Sequence, residues 1–171
     1  MSRNRLLPPV AVLLAALALS ACTGGDGQGG APAEPAGAPP AAAAPPPPGQ
    51  PALLAKEVDD LGTIVVDEAG FTLYRFDEDD ADPPTSTCVE ECATRWPPAV
   101  VDPAGRLTVD GVQEAAVGLL RRPDGTTQLT IAGWAVYRFS GDTAPGMTEG
   151  QGAGGTWYAV TPDGSKATPV G

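Results

Sequence analysis

One unit occurs twice in this chain, and the duplication limits what it can fold into more than any other feature. Gly70-Phe71-Thr72-Leu73-Tyr74-Arg75-Phe76 and Gly133-Trp134-Ala135-Val136-Tyr137-Arg138-Phe139 align at a constant offset of 63 residues, and Asp79 and Asp142 extend the match. Neither copy is large enough to bury its own aromatic residues, so the two must close on a shared core. In an extended strand Tyr74 and Phe76 share one face with Thr72, while Phe71, Leu73 and Arg75 share the other. Both faces are partly apolar, which requires packing on each side.

The flanks read as strands as well. Thr63-Ile64-Val65-Val66 is β-branched and Asp67-Glu68-Ala69-Gly70 has turn chemistry, so a hairpin with Phe71 to Phe76 is expected. Gln128 to Ile131, Ala132-Gly133 and Trp134 to Phe139 repeat the arrangement, and Pro123-Asp124-Gly125-Thr126 adds a third strand from Val117 to Leu120. A short helix is predicted from Cys88 to Arg95, with Thr85-Ser86-Thr87 as the N-cap candidate and Glu90 and Glu91 in the first turn. Trp96-Pro97-Pro98 stops it, Ala99-Val100-Val101 reads as a short strand, and Trp157-Tyr158-Ala159-Val160 stands in the equivalent place. The expected fold is all-β: two pseudo-repeats of antiparallel hairpins, about 61–102 and 117–163, sharing one core, with one short helix at the cysteine pair.

The first 56 residues have another character. Arg3 and Arg5 precede an apolar run from Leu6 to Leu19, too short to span a bilayer, followed by Leu19-Ser20-Ala21-Cys22. This resembles the lipobox of bacterial lipoproteins, which implies a signal peptide at 1–21 and a diacylglycerol on the sulfur of Cys22. Two acyl chains suffice for stable anchoring, so the expected location is the extracytoplasmic face of the cell membrane. Residues 22–56 are rich in Pro, Ala and Gly, with nine prolines between Pro32 and Pro51, and read as a disordered tether. The folded part is then 57–171.

Charge and residue absences narrow the function. The formal net charge is −11, and loss of Arg3 and Arg5 with the signal peptide makes it −13. Only Arg121 and Arg122 are adjacent cations, so nucleic acid is not an expected partner. No histidine is present, which removes Ser-His and Cys-His nucleophiles, His-ligated metals and haem attachment. With Cys22 lipidated, Cys88 and Cys92 form an even pair in an oxidising compartment, and a disulfide is expected. Four residues along a regular helix leave the Cβ atoms too far apart for that bond, so the turn should distort or tighten. A redox-active dithiol is the alternative, opposed by Glu90 and Glu91 between the cysteines.

Asp77-Glu78-Asp79-Asp80-Ala81-Asp82 invites a calcium reading but fails the loop template: Ala81 takes a ligand position and no Glu closes the loop. Asp79 and Asp142 placed in one cleft would suit a paired-carboxylate glycosidase. Two copies of a structural turn that accepts backbone N–H bonds is the simpler reading. Trp96, Trp134 and Trp157 suit core and rim packing better than sugar stacking.

Tyr74, Phe76 and Asp79, and again Tyr137, Phe139 and Asp142, resemble the Tyr-x-aromatic-x-x-Asp motif of bacterial secreted-repeat lipoproteins. The cysteine pair before Trp96-Pro97-Pro98 is similar to the first repeat of that family. The resemblance implies a cell-surface or periplasmic lipoprotein without an established activity, hence no catalytic residue, metal or cofactor to assign. The chain is accordingly expected to be a non-enzymatic interaction or envelope-structural module, bound to the membrane through Cys22, with an envelope protein or polysaccharide as partner. An extracytoplasmic redox or electron-transfer accessory using Cys88 and Cys92 is the alternative.

Overall fold

A computed structural model describes residues 49–170. Cys22, the expected signal peptide and nearly all of the expected tether lie outside the described residues. The expected bound of 56 does not hold, because Ala52–Val58 is a strand, β1. Leu53 within it is fully buried. Ala52-Leu53-Leu54 supplies enough apolar surface to join the core, and the adjacent Gly62–Val66, β2, supplies an antiparallel ladder from Leu54↔Val66 to Val58↔Gly62.

The chain continues through β3, Tyr74–Phe76, and a small hairpin of β4, Asp80–Ala81, and β5, Pro84–Thr85. A short α-helix follows, α1, Glu91–Arg95. After it β6, Thr108–Asp110, pairs in parallel with β1. Then β7, Val117–Arg121, β8, Thr127–Ile131, and β9, Trp134–Ala135, form an antiparallel meander in the order expected from the sequence. The two-residue turn Ala132-Gly133 has positive φ at both positions, the geometry that suits a tight hairpin. The last strand, β10, is Trp157–Ala159.

The structure changes three local readings. The first hairpin exists only at its turn, where Asp67 N donates to Phe71 O and Leu73 N to Val65 O; from Tyr74 onward the strand leaves β2 and pairs with β10. The helix begins at Glu91 and not at Cys88. Thr85 belongs to β5, while Ser86 and Thr87 bond to Tyr137 and Asp79, so none of the three caps the helix. Ala99 to Val101 makes one isolated bridge, Val100↔Gln128, in place of a strand.

The two repeats exchange strands. Leu73 N donates to Val65 O, Val160 N to Leu73 O and Val65 N to Val160 O, at 3.0, 3.0 and 2.8 Å, closing a ring of three bonds. Its counterpart joins Val136 N to Leu129 O, Ala99 N to Val136 O and Leu129 N to Ala99 O, at 3.1, 3.0 and 2.9 Å. In each ring two residues come from one repeat and the third from the other. Strand alternation sorts the core as expected: Leu73 and Val136 pack with Leu53, Val65, Leu129 and Val160. Tyr74, Ala135 and Tyr137 pack in the other cluster with Ile64, Trp96 and Trp157.

Candidate functional site

The exchanged strands bring the two motif copies together about a local two-fold relation. Tyr74 N donates to Tyr137 O at 2.8 Å and Tyr137 N to Tyr74 O at 2.9 Å. The side chains cross over as well. Tyr74 Oη donates to Asp142 Oδ2 at 2.7 Å, and Tyr137 Oη to Asp79 Oδ2 at 2.6 Å. The other oxygen of each aspartate caps the following loop, Asp79 Oδ1 accepting Thr87 N at 2.7 Å and Asp142 Oδ1 accepting Glu149 N at 2.9 Å. Burial raises both carboxyls above the usual aspartate range, with the bonds from tyrosine and backbone pulling the other way. Burial and the adjacent carboxylates push both phenols well above their ordinary value.

The two copies differ in what stands behind them. Arg122 is buried and donates to Ser86 Oγ and Gln128 Oε1, both at 2.6 Å, and to Cys88 O at 2.8 Å. Ser86 Oγ lies 2.7 Å from Tyr137 Oη. Because the Tyr137 proton goes to Asp79, the Ser86 hydroxyl donates to Tyr137, and a directed chain runs from Arg122 through Ser86 and Tyr137 to Asp79. Tyr74 instead accepts from Gly150 N at 3.3 Å.

Below the tyrosines lies a stack of four rings, Phe76, Trp157, Trp96 and Phe139. Centroid separations are 4.2, 3.9 and 4.4 Å, and the two indoles are parallel within 1°. Tyr74 meets Trp96 edge-on at 5.4 Å and Tyr137 meets Trp157 at 5.2 Å. These rings were expected in the core. Their register reflects the strand exchange, because each phenylalanine faces the tryptophan of the other repeat.

The repeated arginines also cross over. Arg75 lies over the Trp134 ring at 3.3 Å and Arg138 over the Phe71 ring at 5.1 Å. Arg75 is enclosed, with 9% of its side chain exposed, and donates to Gly164 O at 2.9 Å. Arg138 has 39% exposed and pairs with Asp67 and Glu68. The turn from Thr161 to Lys166 folds back over Arg75, closed by Thr161 N to Ser165 O and Gly164 N to Thr161 O. On the other side the chain after Val101 leaves through the turn at Asp102 to Gly105 toward β6, so among the described residues no equivalent turn folds back over Arg138. A cleft of about 250 Å³ remains there, lined by Leu73, Pro97, Ala99, Val101 and Leu129 together with the charged Asp67, Glu68 and Arg138. Neither Asp79 nor Asp142 lines it. Burial raises the Asp67 carboxyl above its ordinary value, opposed by bonds from Phe71 and Ala69 and by Arg138.

Cys88 and Cys92 are joined in a disulfide with Cα atoms 5.2 Å apart. Within the acidic run the carboxylates diverge: Asp79 turns inward, while Asp77 reaches Lys166 on the surface. Arg75 and Arg138 are the site residues that motif reasoning undervalued, although their place in the duplicated Tyr-Arg-Phe was a signal. Arg122, Ser86 and Gln128 have no counterpart in the duplication and left none.

A β domain of two strand-exchanged repeats, cross-bonded by tyrosine and aspartate, is the class this geometry defines. The chain belongs to the lipoprotein family described as a secreted repeat of unknown function, which matches residues 57–100 and again 118–161. No curated protein and no solved structure matches it.

Proposed function

We propose that this is an exported lipoprotein held at the extracytoplasmic face of the cell membrane by lipid on Cys22, whose domain serves as a non-catalytic interaction module. The observation that supports the reading most is the difference between the two arginine sites. One is filled by the chain's own Thr161 to Lys166 turn, which presents a backbone carbonyl to Arg75. The other leaves an apolar cleft open beside Arg138. At about 250 Å³ the cleft lies just below the range of small-molecule sites and suits one or two residues of an envelope protein, or part of a sugar.

The test is photo-crosslinking from the cleft on intact cells. Val100 lines the cleft and is 50% exposed, whereas Val89 lies outside it and is 44% exposed, so a photoreactive residue is tolerated at either. A discrete adduct from position 100 that is missing from position 89 supports the module. The same adducts from both positions, or none from 100, refute it. Mass analysis of the mature chain checks the anchor independently, by acyl chains on Cys22.

A further inference from the structure

The four-ring stack carries an inference that does not depend on what the cleft binds. Indole and phenol are the most readily oxidised of the aromatic side chains, whereas benzene rings are far harder to oxidise. The order Phe76, Trp157, Trp96, Phe139 therefore places an oxidisable pair between two inert caps, with a tyrosine edge-on to each indole. Both tyrosines are fully buried and each donates to a buried carboxylate. From outside, the indole pair is reached by a pocket of about 130 Å³ lined by Arg95, Trp96, Ala153, Gly154, Thr156 and Trp157.

We propose that this core is a one-electron relay, in which an oxidising equivalent accepted at Trp96 and Trp157 comes to rest on Tyr74, with Asp142 taking the phenolic proton. The oxidant is a small one-electron acceptor of the oxyl-radical class, or a photogenerated metal complex in the laboratory. It removes one electron from the indole pair and is reduced by one. Tyr74 then returns one electron to Trp96 while its O–H bond breaks and the proton passes along the 2.7 Å hydrogen bond to Asp142 Oδ2. The indole is restored, and a neutral tyrosyl radical and a neutral carboxyl remain. A hydroquinone-class reductant supplies the returning electron, and the proton goes back to the phenol.

Tyr74 is the resting place, and not Tyr137, because the two carboxylates differ as bases. Asp79 accepts bonds from Thr87 N, Thr87 Oγ1 and Tyr137 and lies in the field of Arg122, all of which hold its charge in place. Among the described residues Asp142 accepts from Tyr74 and Glu149 N alone, and the charge that acts on it is that of the acidic Glu149. A proton is therefore taken up more readily by Asp142. Burial also shields a radical on Tyr74 from coupling with another chain.

The experiment is flash oxidation of the folded chain with photo-excited ruthenium tris(bipyridine) and an electron-accepting quencher, read by transient absorption and electron paramagnetic resonance. The chain has three tyrosines, Tyr74, Tyr137 and Tyr158. Expected results are a tyrosyl signal in the native chain, retained in Tyr158→Phe and Tyr137→Phe, and mostly lost in Tyr74→Phe. Asp142→Asn leaves the hole on tryptophan, Asp79→Asn does not, and tyrosyl formation slows in heavy water. Loss of the signal in Tyr158→Phe overturns the relay without disturbing the core. So does a signal that survives Asp142→Asn or shows no isotope effect. Near-ultraviolet dichroism of each variant confirms that the stack is intact.

Discussion

Tyr74 and Asp142 stand 68 residues apart and belong to different repeats, yet the phenol of one donates to the carboxylate of the other at 2.7 Å inside the core. Tyr137 and Asp79 repeat the relationship in the opposite direction. Each aspartate accepts a backbone N–H of its own loop, as a turn used twice requires, and in addition each copy is completed by the other.

Removing one phenol tests this bond. Tyr74→Phe leaves Asp142 buried with one donor fewer and is expected to cost about 2 kcal/mol by chemical denaturation. Asp142→Ala is expected to cost less in the Tyr74→Phe background than in the native chain, because the lost bond is then already gone. Additive costs would show that the pair is not coupled.

Strand exchange predicts that neither repeat folds alone. Fragments 49–102 and 103–170 should each melt without cooperativity, whereas their mixture regains the near-ultraviolet dichroism of the Trp96 and Trp157 stack. A cooperative transition in either fragment alone would contradict the exchanged rings of backbone bonds.

Arg122 links Ser86, Gln128 and the Cys88 carbonyl. Arg122→Met leaves those acceptors without their donor in the core and is expected to destabilise the domain by about 3 kcal/mol. Arg122→Lys should rescue little, since one ammonium cannot reproduce the planar fork that reaches three acceptors. Melting temperatures of the two variants decide this.

The buried carboxyls set the pH dependence. Asp67, Asp79 and Asp142 are all held above the ordinary value of 3.8 by burial, so each binds its proton more tightly in the folded chain than in the unfolded one. Their contribution is fully present below 3.8 and is lost as pH rises through the raised values, so stability increases as a neutral solution is mildly acidified. A melting temperature that falls steadily from pH 7 to pH 5 would show that these groups are not desolvated.

Gly150 marks how tightly the loop of the second repeat closes on the aromatic core. A Cβ there would lie 2.7 Å from the Tyr74 ring and 2.9 Å from Trp96. Gly150→Ala is expected to cost about 1–3 kcal/mol through overpacking and to alter the dichroism of the stack, both measurable in one thermal scan.

The duplication, the alternation along each motif strand and the turn chemistry were legible in the residues, because short-range sterics and hydrophobic spacing act within a few positions. They located β2, the meander of β7, β8 and β9, and the two tyrosine segments with Tyr74 and Tyr137 in one core cluster and Leu73 and Val136 in the other. They missed β1, because Pro and Ala composition nearby masked a short apolar run whose strand partner lies beyond a turn. They also overextended the helix, because Ser86 and Thr87 are drawn to Tyr137 and Asp79 by contacts that local capping rules do not contain.

Pairing was decided only in three dimensions. The sequence determined two similar half-units, but a hairpin closed within each repeat and strands exchanged between repeats satisfy the same local pattern. Exchange is selected because it puts both indoles face to face, gives each buried aspartate a phenol and leaves Arg122 to satisfy Gln128 and Cys88. The opening beside Arg138 likewise depends on where the chain goes after Val101 and after Val160, a matter of tertiary path that the motif does not encode.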